Sequence, residues 1–295
     1  MQGNLFNQKD FSHIETQGIK YAGSKLKIIP YILEVIRDFQ IKSVLDGFSG
    51  STRVSQAFAQ AGFDVMSNDT AHWSEVCAKA FLLHANNKLY YQEILNELNA
   101  LRGYDGWFTE NYGGDETTSR KMPFQKKNTR KLDAIRDKID ELQLDDIDKS
   151  VVLTSLLLAL DSVDSTLGHF VSYLSNWSPR SHNDLILKVP NLVKTHGKHK
   201  VLRDDIFNVV EDYPVDLAYF DPPYGSNNEK MPPSRVRYSS YYHLWTSVVR
   251  NDRPQLFGKV NRREDTKDAV AVSVFEEFRK NDKGNFIAME AIRKL

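Results

Sequence analysis

Apolar positions divide the chain into elements. From Tyr31 to Phe39 they recur at helical spacing, at Ile32, Val35, Ile36 and Phe39. Ser43-Val44-Leu45-Asp46 follows, a short apolar run closed by Asp-Gly, and predicts a buried strand. The helical period returns from about Thr52 to Ala61, with Val54, Ala57, Phe58 and Ala61 on one face and Gly62 as its stop. Phe63–Met66 predicts a second strand, ending at Asn68-Asp69. Strand, glycine-containing turn, helix and strand within about thirty residues make a βαβ unit, and hence a parallel sheet.

Beyond this unit the period changes. Val76–Leu101 reads as helix, and Gly103–Pro123, with Gly103, Gly106, Gly113, Gly114 and Pro123, reads as loop. Leu132, Ile135, Ile139 and Leu142 mark an amphipathic helix, and Val151–Leu167 is apolar on most sides, as a buried helix would be. Strand character returns at Lys200–Leu202 and at Val215–Phe220. The simplest arrangement is one α/β sheet whose core comprises residues 1–75 and 199–295, interrupted by a mostly helical insertion at 76–198.

Composition narrows the classes. The 295 residues are 41% hydrophobic and 26% charged, an ordinary globular balance. Because 39 Lys and Arg offset 39 Asp and Glu, any surface for nucleic acid must be a local patch. A single cysteine, Cys77, excludes a disulfide framework and a cysteine-built zinc site, and suits a reducing compartment. His196 and His199 lack acidic or cysteine companions, so no metal is expected. The longest apolar run, Val151–Leu160, is about half the length needed to span a bilayer, and Met1–Asp10 has no apolar signal core. A cytoplasmic protein with no membrane partner is expected.

The sharpest chemical feature is Asp221-Pro222-Pro223-Tyr224, directly after the apolar run Leu217-Ala218-Tyr219-Phe220. Loops at the carboxyl ends of parallel strands are where open α/β sheets place ligands. Two prolines also make a rigid strand terminator, which is the structural alternative. Chemistry has a use for each part. An exocyclic amine such as adenine N6 delocalises its lone pair into the ring and is a poor nucleophile. The Asp221 carboxylate and the Pro222 carbonyl, accepting its two N–H bonds, would localise that lone pair toward a methyl donor. Tyr224 offers a face on which a base taken out of the duplex could stack.

Asp46-Gly47-Phe48-Ser49-Gly50 closes the first strand, with glycines that let backbone approach a ligand. About twenty residues later, Asp69 ends the second strand, where it can accept from ribose hydroxyls or cap a turn. Tyr21-Ala22-Gly23-Ser24-Lys25 precedes the first helix; Ser24 could cap it, and Lys25 could be a solvated charge. Asp204-Asp205-Ile206-Phe207 follows the strand at 200–202, where an acid reaches a ligand adenine or caps a helix.

Together these motifs resemble those of the Dam-like adenine-N6 DNA methyltransferases, the alpha arrangement of the amino-methyltransferases. The family's aromatic-x-Gly-Gly-Lys motif is similar to Tyr21–Lys25, with Ser24 at a glycine position. Its Asp-x-Phe-x-Gly-x-Gly motif is similar to Asp46–Ser51 at Asp46, Phe48 and Gly50, and its catalytic tetrapeptide is similar to Asp221–Tyr224. Phe108–Tyr112, Leu132–Arg136 and Leu156–Leu174 resemble stretches of one branch, so the likeness covers most of the chain. The resemblance implies a Rossmann-like S-adenosylmethionine-dependent methyltransferase sheet. It implies S-adenosyl-L-methionine held by Tyr21, Lys25, Asp46, Phe48, Gly50, Asp69, Asp205 and Ile206, and catalysis by Asp221, Pro222 and Tyr224.

Double-stranded DNA is the expected partner, and basic clusters mark where phosphates would lie. One is Arg120, Lys121, Lys126, Lys127, Arg130, Lys131 and Arg136; a weaker one is Lys194, Lys198, Lys200 and Arg203. A third, after the catalytic loop, contains Lys230, Arg235, Arg237, Arg250, Arg253, Lys259, Arg262 and Arg263, interleaved with Tyr238, Tyr241, Tyr242 and Trp245. Lys126, Lys127, Arg130, Arg235 and Arg237 are the expected DNA contacts. The alternatives are methylation of cytosine N4 or of RNA, and a non-catalytic DNA-binding subunit. Asp rather than Ser at position 221 favours adenine. Four strands can be placed, and the resemblance implies three more after the catalytic strand. The expectation is therefore a truncated or split methyltransferase, with the catalytic strand at an open edge and a second polypeptide supplying the rest. A compact variant would instead use Val270–Val274 as the next strand.

Overall fold

A computed structural model of the chain describes residues 11, 13–118, 121–223, 237–267, 273–277 and 280–295. Helix α1 (Ile29–Ile36) has Pro30 in its first turn and buries Ile29, Leu33 and Ile36. Val35 and Phe39, expected on its inner face, are exposed, because Ile29 and Leu33 set the face that packs on the sheet. The βαβ unit follows as β1 (Ser43–Asp46), α2 (Arg53–Gln60) and β2 (Asp64–Asn68), with Gly62 at a positive φ of 90° ending the helix turn.

The single helix expected over 76–101 is two, α3 (His72–Leu83) and α4 (Lys88–Ala100). His84 leaves helical geometry, and the Asn87 side chain caps α4 by accepting from the Tyr90 N–H. The expected loop at 103–123 contains α5 (Trp107–Tyr112) and β3 (Gly113–Gly114), which pairs with β4 (Phe124–Gln125). Two long helices follow, α6 (Lys126–Glu141) and α7 (Asp146–Val163). The chain then returns to the sheet through β5 (Lys200–Leu202), α8 (Ile206–Asp212) and β6 (Leu217–Tyr219). It continues with α9 (Tyr238–Tyr241), α10 (His243–Arg250), the antiparallel pair β7 (Leu256–Phe257) and β8 (Arg262–Arg263), and α11 (Ile287–Ile292).

The fold is mixed α/β around a parallel sheet of order β5-β2-β1-β6. Its register aligns Asp46 with Ser67 on one side and with Tyr219 on the other, so the strands end at one level. One apolar cluster joins Trp73 of α3, Leu95 of α4, Phe108 of α5, Leu132 of α6, Leu156 of α7 and Trp245 of α10. The insertion helices thus share a core with α10, and α3 straddles residue 75. Among the described residues β6 is a sheet edge. Of the alternative strand Val270–Val274, residues 270–272 lie outside the described residues, and Val274 opens a 3₁₀ turn (Val274–Glu276). Among the described residues no helix is long and apolar enough to cross a membrane.

Candidate active site

The loops leaving β1, β2, β5 and β6 open on one cleft of about 590 Å³. It is lined by Tyr21, Lys25, Phe48, Asp69, Asp205, Ile206, Asp221 and Pro222, residues from five separate segments that the sequence had singled out. Asp46 and Gly50 line a depression alongside it, with Tyr21, Lys25, Phe48 and Asp221. Tyr224 lies outside the described residues.

Asn68 ties these loops together. Its side-chain amide donates to the carbonyls of Gly47 and Asp204, both at 3.2 Å, while its oxygen accepts from the Asp204 N–H at 3.1 Å. Gly47 has no room for a side chain: a Cβ there would sit 2.8 Å from both Ile206 Cδ1 and Phe220 Cδ1. Gly50 has a positive φ of 47°, which a side chain would strain, and the Tyr21 ring lies against it.

Asp46 is buried under the loop. One oxygen accepts from the Ser55 hydroxyl at 2.6 Å; Oδ1 is buried with no hydrogen-bond partner among the described residues. Burial pushes its carboxyl up to about 7, against the Ser55 hydrogen bond, and the charges of Asp69 and Asp221 push in the same direction as burial. An unfolded aspartate titrates near 4, so ionising Asp46 opposes folding, and the opposition grows as pH rises from about 4 to about 7. Asp46→Asn is therefore expected to be more stable than the parent at pH 8, by on the order of a few kcal/mol, with the gain vanishing near pH 4. Urea unfolding at the two pH values measures this; an equal difference at both would reject it. The orphaned oxygen also fits a polar ligand group entering from the cleft.

Asp69 accepts from the Gly50 N–H at 2.8 Å and the Ala71 N–H at 2.9 Å, so it does the work of a turn cap and also braces the glycine loop. Burial raises its carboxyl, against these backbone hydrogen bonds. Asp205 caps α8 by accepting from the Phe207 N–H at 2.9 Å. Both residues also line the cleft. Asp221 lies just past β6, and its Oδ2 is 2.7 Å from Lys25 Nζ. The solvated charge that the sequence allowed for Lys25 is instead a partner of the acid.

The family model for D12 class N6 adenine-specific DNA methyltransferases matches residues 21–285. The chain belongs to this family. Membership implies S-adenosylmethionine as the methyl donor in general. This D12-class chain is 27% identical over 264 residues to modification methylase LlaI of Lactococcus lactis subsp. lactis, which covers 83% of this chain and 40% of that protein. It is 28% identical to modification methylase StsI of Streptococcus sanguinis, over 81% of this chain and 37% of that protein. Type II methyltransferase M.NlaIII of Neisseria lactamica is 25% identical, over 83% of this chain and 73% of that protein. The chain thus spans about two fifths of the length of the first two.

Sequence reasoning missed two walls of the D12 cleft. Tyr242 stacks on Tyr21 at 4.7 Å and its hydroxyl accepts from the Ala22 N–H at 2.7 Å. Phe275 packs edge-on against Phe48 at 5.0 Å and parallel to Phe207 at 5.6 Å. The aromatic interleaving after residue 237 was a signal for Tyr242, read as DNA contact; nothing in the local sequence marks Phe275.

Among the described residues, several cations of the first and third clusters are paired or buried. Lys127 pairs with Asp184 at 2.5 Å, and Arg130 forms a two-pronged pair with Asp105 at 2.6 Å. Arg136 is buried and donates to the last carbonyls of α10, at Val248 and Val249. Arg263 is buried between Asp252 and Asp265, with hydrogen bonds to both oxygens of each. Arg237 is 13% exposed, donates to the Glu276 carbonyl at 2.6 Å, and faces Glu277. Arg136 and Arg263, counted in the sequence as phosphate-facing charge, belong to the core, because burial demanded that their guanidinium groups be saturated. Arg120, Lys230 and Arg235 lie outside the described residues.

Proposed function

We propose that this chain transfers a methyl group from S-adenosylmethionine to adenine N6 in a specific DNA sequence, as the modification component of a restriction–modification system. The observation that carries the reading is the opening of Asp221 and Pro222 onto the same cleft as Phe48, Asp69, Asp205 and Ile206. When bound, S-adenosylmethionine supplies a methyl group on a sulfonium, and transfer forms a carbon–nitrogen bond as the carbon–sulfur bond breaks and one amine proton is released.

The protein's part is to hold and orient. Asp69 and Asp205 line the cleft as acceptors for the donor's hydroxyl and amine groups, with Ile206, Phe48 and Tyr21 as walls and Asp46 and Gly50 in the adjoining depression. Asp221 and the Pro222 carbonyl accept the two N–H bonds of the target amine. Proline fixes φ at 222, and Pro223 restricts the residue before it to extended geometry, so that carbonyl needs no reorganisation during reaction. Tyr224 is assigned to base stacking. We assign residues 76–198 to target recognition, with Lys126 as a phosphate contact; Lys127, Arg130 and Arg237 would have to exchange carboxylate or carbonyl partners to join it, and Arg235 completes the proposed set. The names of the relatives, modification methylases, support the modification role.

Asp69→Ala is expected to weaken S-adenosylmethionine binding by about one to two decades, through a lost charge-assisted acceptor and a loosened Gly50 loop. Calorimetry checks this; unchanged affinity would leave Asp69 as a cap alone. The overall reading is tested by sequencing DNA from cells that express the chain. Methylated adenines in one sequence context support it, and unmodified DNA rejects it.

A further inference from the structure

The two prolines that fix the Pro222 carbonyl leave Asp221 without its ordinary local support. Two aspartates at the same cleft are held by the backbone N–H two residues on, Asp69 by Ala71 and Asp205 by Phe207. The residues after Asp221 are Pro222 and Pro223, and neither has an N–H. The partner that the described residues give the Asp221 carboxylate comes from outside its own loop.

We propose that Lys25 is the positioning residue for the amine acceptor, its ammonium fixing Asp221 Oδ2 so that the other oxygen is presented to the target amine. The ion pair is 2.7 Å long, and the two side chains are only 15% and 24% exposed. Lys25 is itself well anchored. Its Nζ also donates to the Gly23 carbonyl at 3.0 Å, and its own carbonyl accepts from the N–H groups of Ile28 and Ile29 as α1 begins. A carboxylate has about four acceptor sites, so one lysine on Oδ2 leaves Oδ1 open to an amine hydrogen. With both side chains mostly buried, lost hydration offsets much of the pair's Coulomb attraction, which makes orientation its main effect.

The inference rests on the methyl-transfer reading and differs from the resemblance, which assigned Lys25 to the cofactor. Its test is a cycle of Lys25→Met, Lys25→Arg, Asp221→Asn and the Lys25→Met, Asp221→Asn double variant. Single-turnover methyl transfer would be measured alongside calorimetric binding of S-adenosylhomocysteine. Lys25→Met should lower the transfer rate about tenfold or more with affinity held within about threefold, and Lys25→Arg should restore most of it. In the Asp221→Asn background, Lys25→Met should cost no more than about twofold further, because the group it orients is already gone. A tenfold loss of affinity with the rate retained, or rate losses that multiply independently, would overturn the inference. If the unaltered chain transfers no methyl group, the methyl-transfer reading itself fails and the inference with it.

Discussion

Asp221→Ala is expected to lower methyl transfer by a factor of about a hundred or more while S-adenosylmethionine affinity stays within about threefold. The separation follows from where the carboxylate sits. It lies beyond β6, while the end of the cleft proposed for the cofactor is built by the loops after β1, β2 and β5. Removing it leaves the Pro222 carbonyl as a single acceptor for an amine with two N–H bonds, so the lone pair stays delocalised in the ring. It also removes the negative charge nearest the nitrogen on which positive charge develops. Single-turnover transfer and calorimetric binding measure the two quantities separately. Loss of both together would mean that Asp221 holds the cofactor; equal turnover would remove it from the mechanism.

The largest effect on stability is expected at Asp133, far from the cleft. Helix α5 has six residues and is capped by Gly106, which has no side chain to offer its first N–H groups. Asp133 on α6 supplies what is missing. Its carboxylate accepts from the backbone N–H groups of Gly106, Phe108 and Thr109 at 3.1, 2.8 and 2.9 Å, and from the Thr109 hydroxyl at 2.6 Å. Asp133→Ala strands these donors in a buried site, at about 1–3 kcal/mol for each one left unpaired; water entering the gap offsets part, so about 3–5 kcal/mol is expected. Phe108 and Tyr112, both buried in the main apolar cluster, would loosen with the helix. Urea unfolding decides it: a loss below about 1 kcal/mol would show that α5 holds without this cap.

That same interaction explains why α5 was invisible in the sequence. Gly103, Gly106, Gly113 and Gly114 read as loop because glycine-rich segments lack local helix signals, and the capping group sits on another helix. Where an element is specified locally, the sequence was readable. The short apolar runs of β1 and β2, the apolar face of α2 and the stop at Gly62 define the βαβ unit without outside help. Once its strands are placed, Asp46, Asp69, Asp205 and Asp221 fall at carboxyl ends; the last three meet at one cleft, and Asp46 lines the depression alongside it. Charge was the least readable property. Lys127 finds Asp184, Arg130 finds Asp105 and Arg263 finds Asp252 only after folding, so several cations of the sequence runs are paired with carboxylates in the fold. The Lys25–Asp221 pair joins the two ends of the motif order, and its separate halves gave no sign of it.

The central claim is that this cleft methylates adenine N6. Purified chain, duplex DNA containing every short sequence context and donor labelled in the methyl group would be incubated together, and the DNA digested to nucleosides for mass spectrometry. The account predicts labelled N6-methyl-2′-deoxyadenosine from the unaltered chain and none above background from Asp221→Ala. Labelled N4-methylcytosine, or labelled methyladenine that persists in Asp221→Ala, would contradict it.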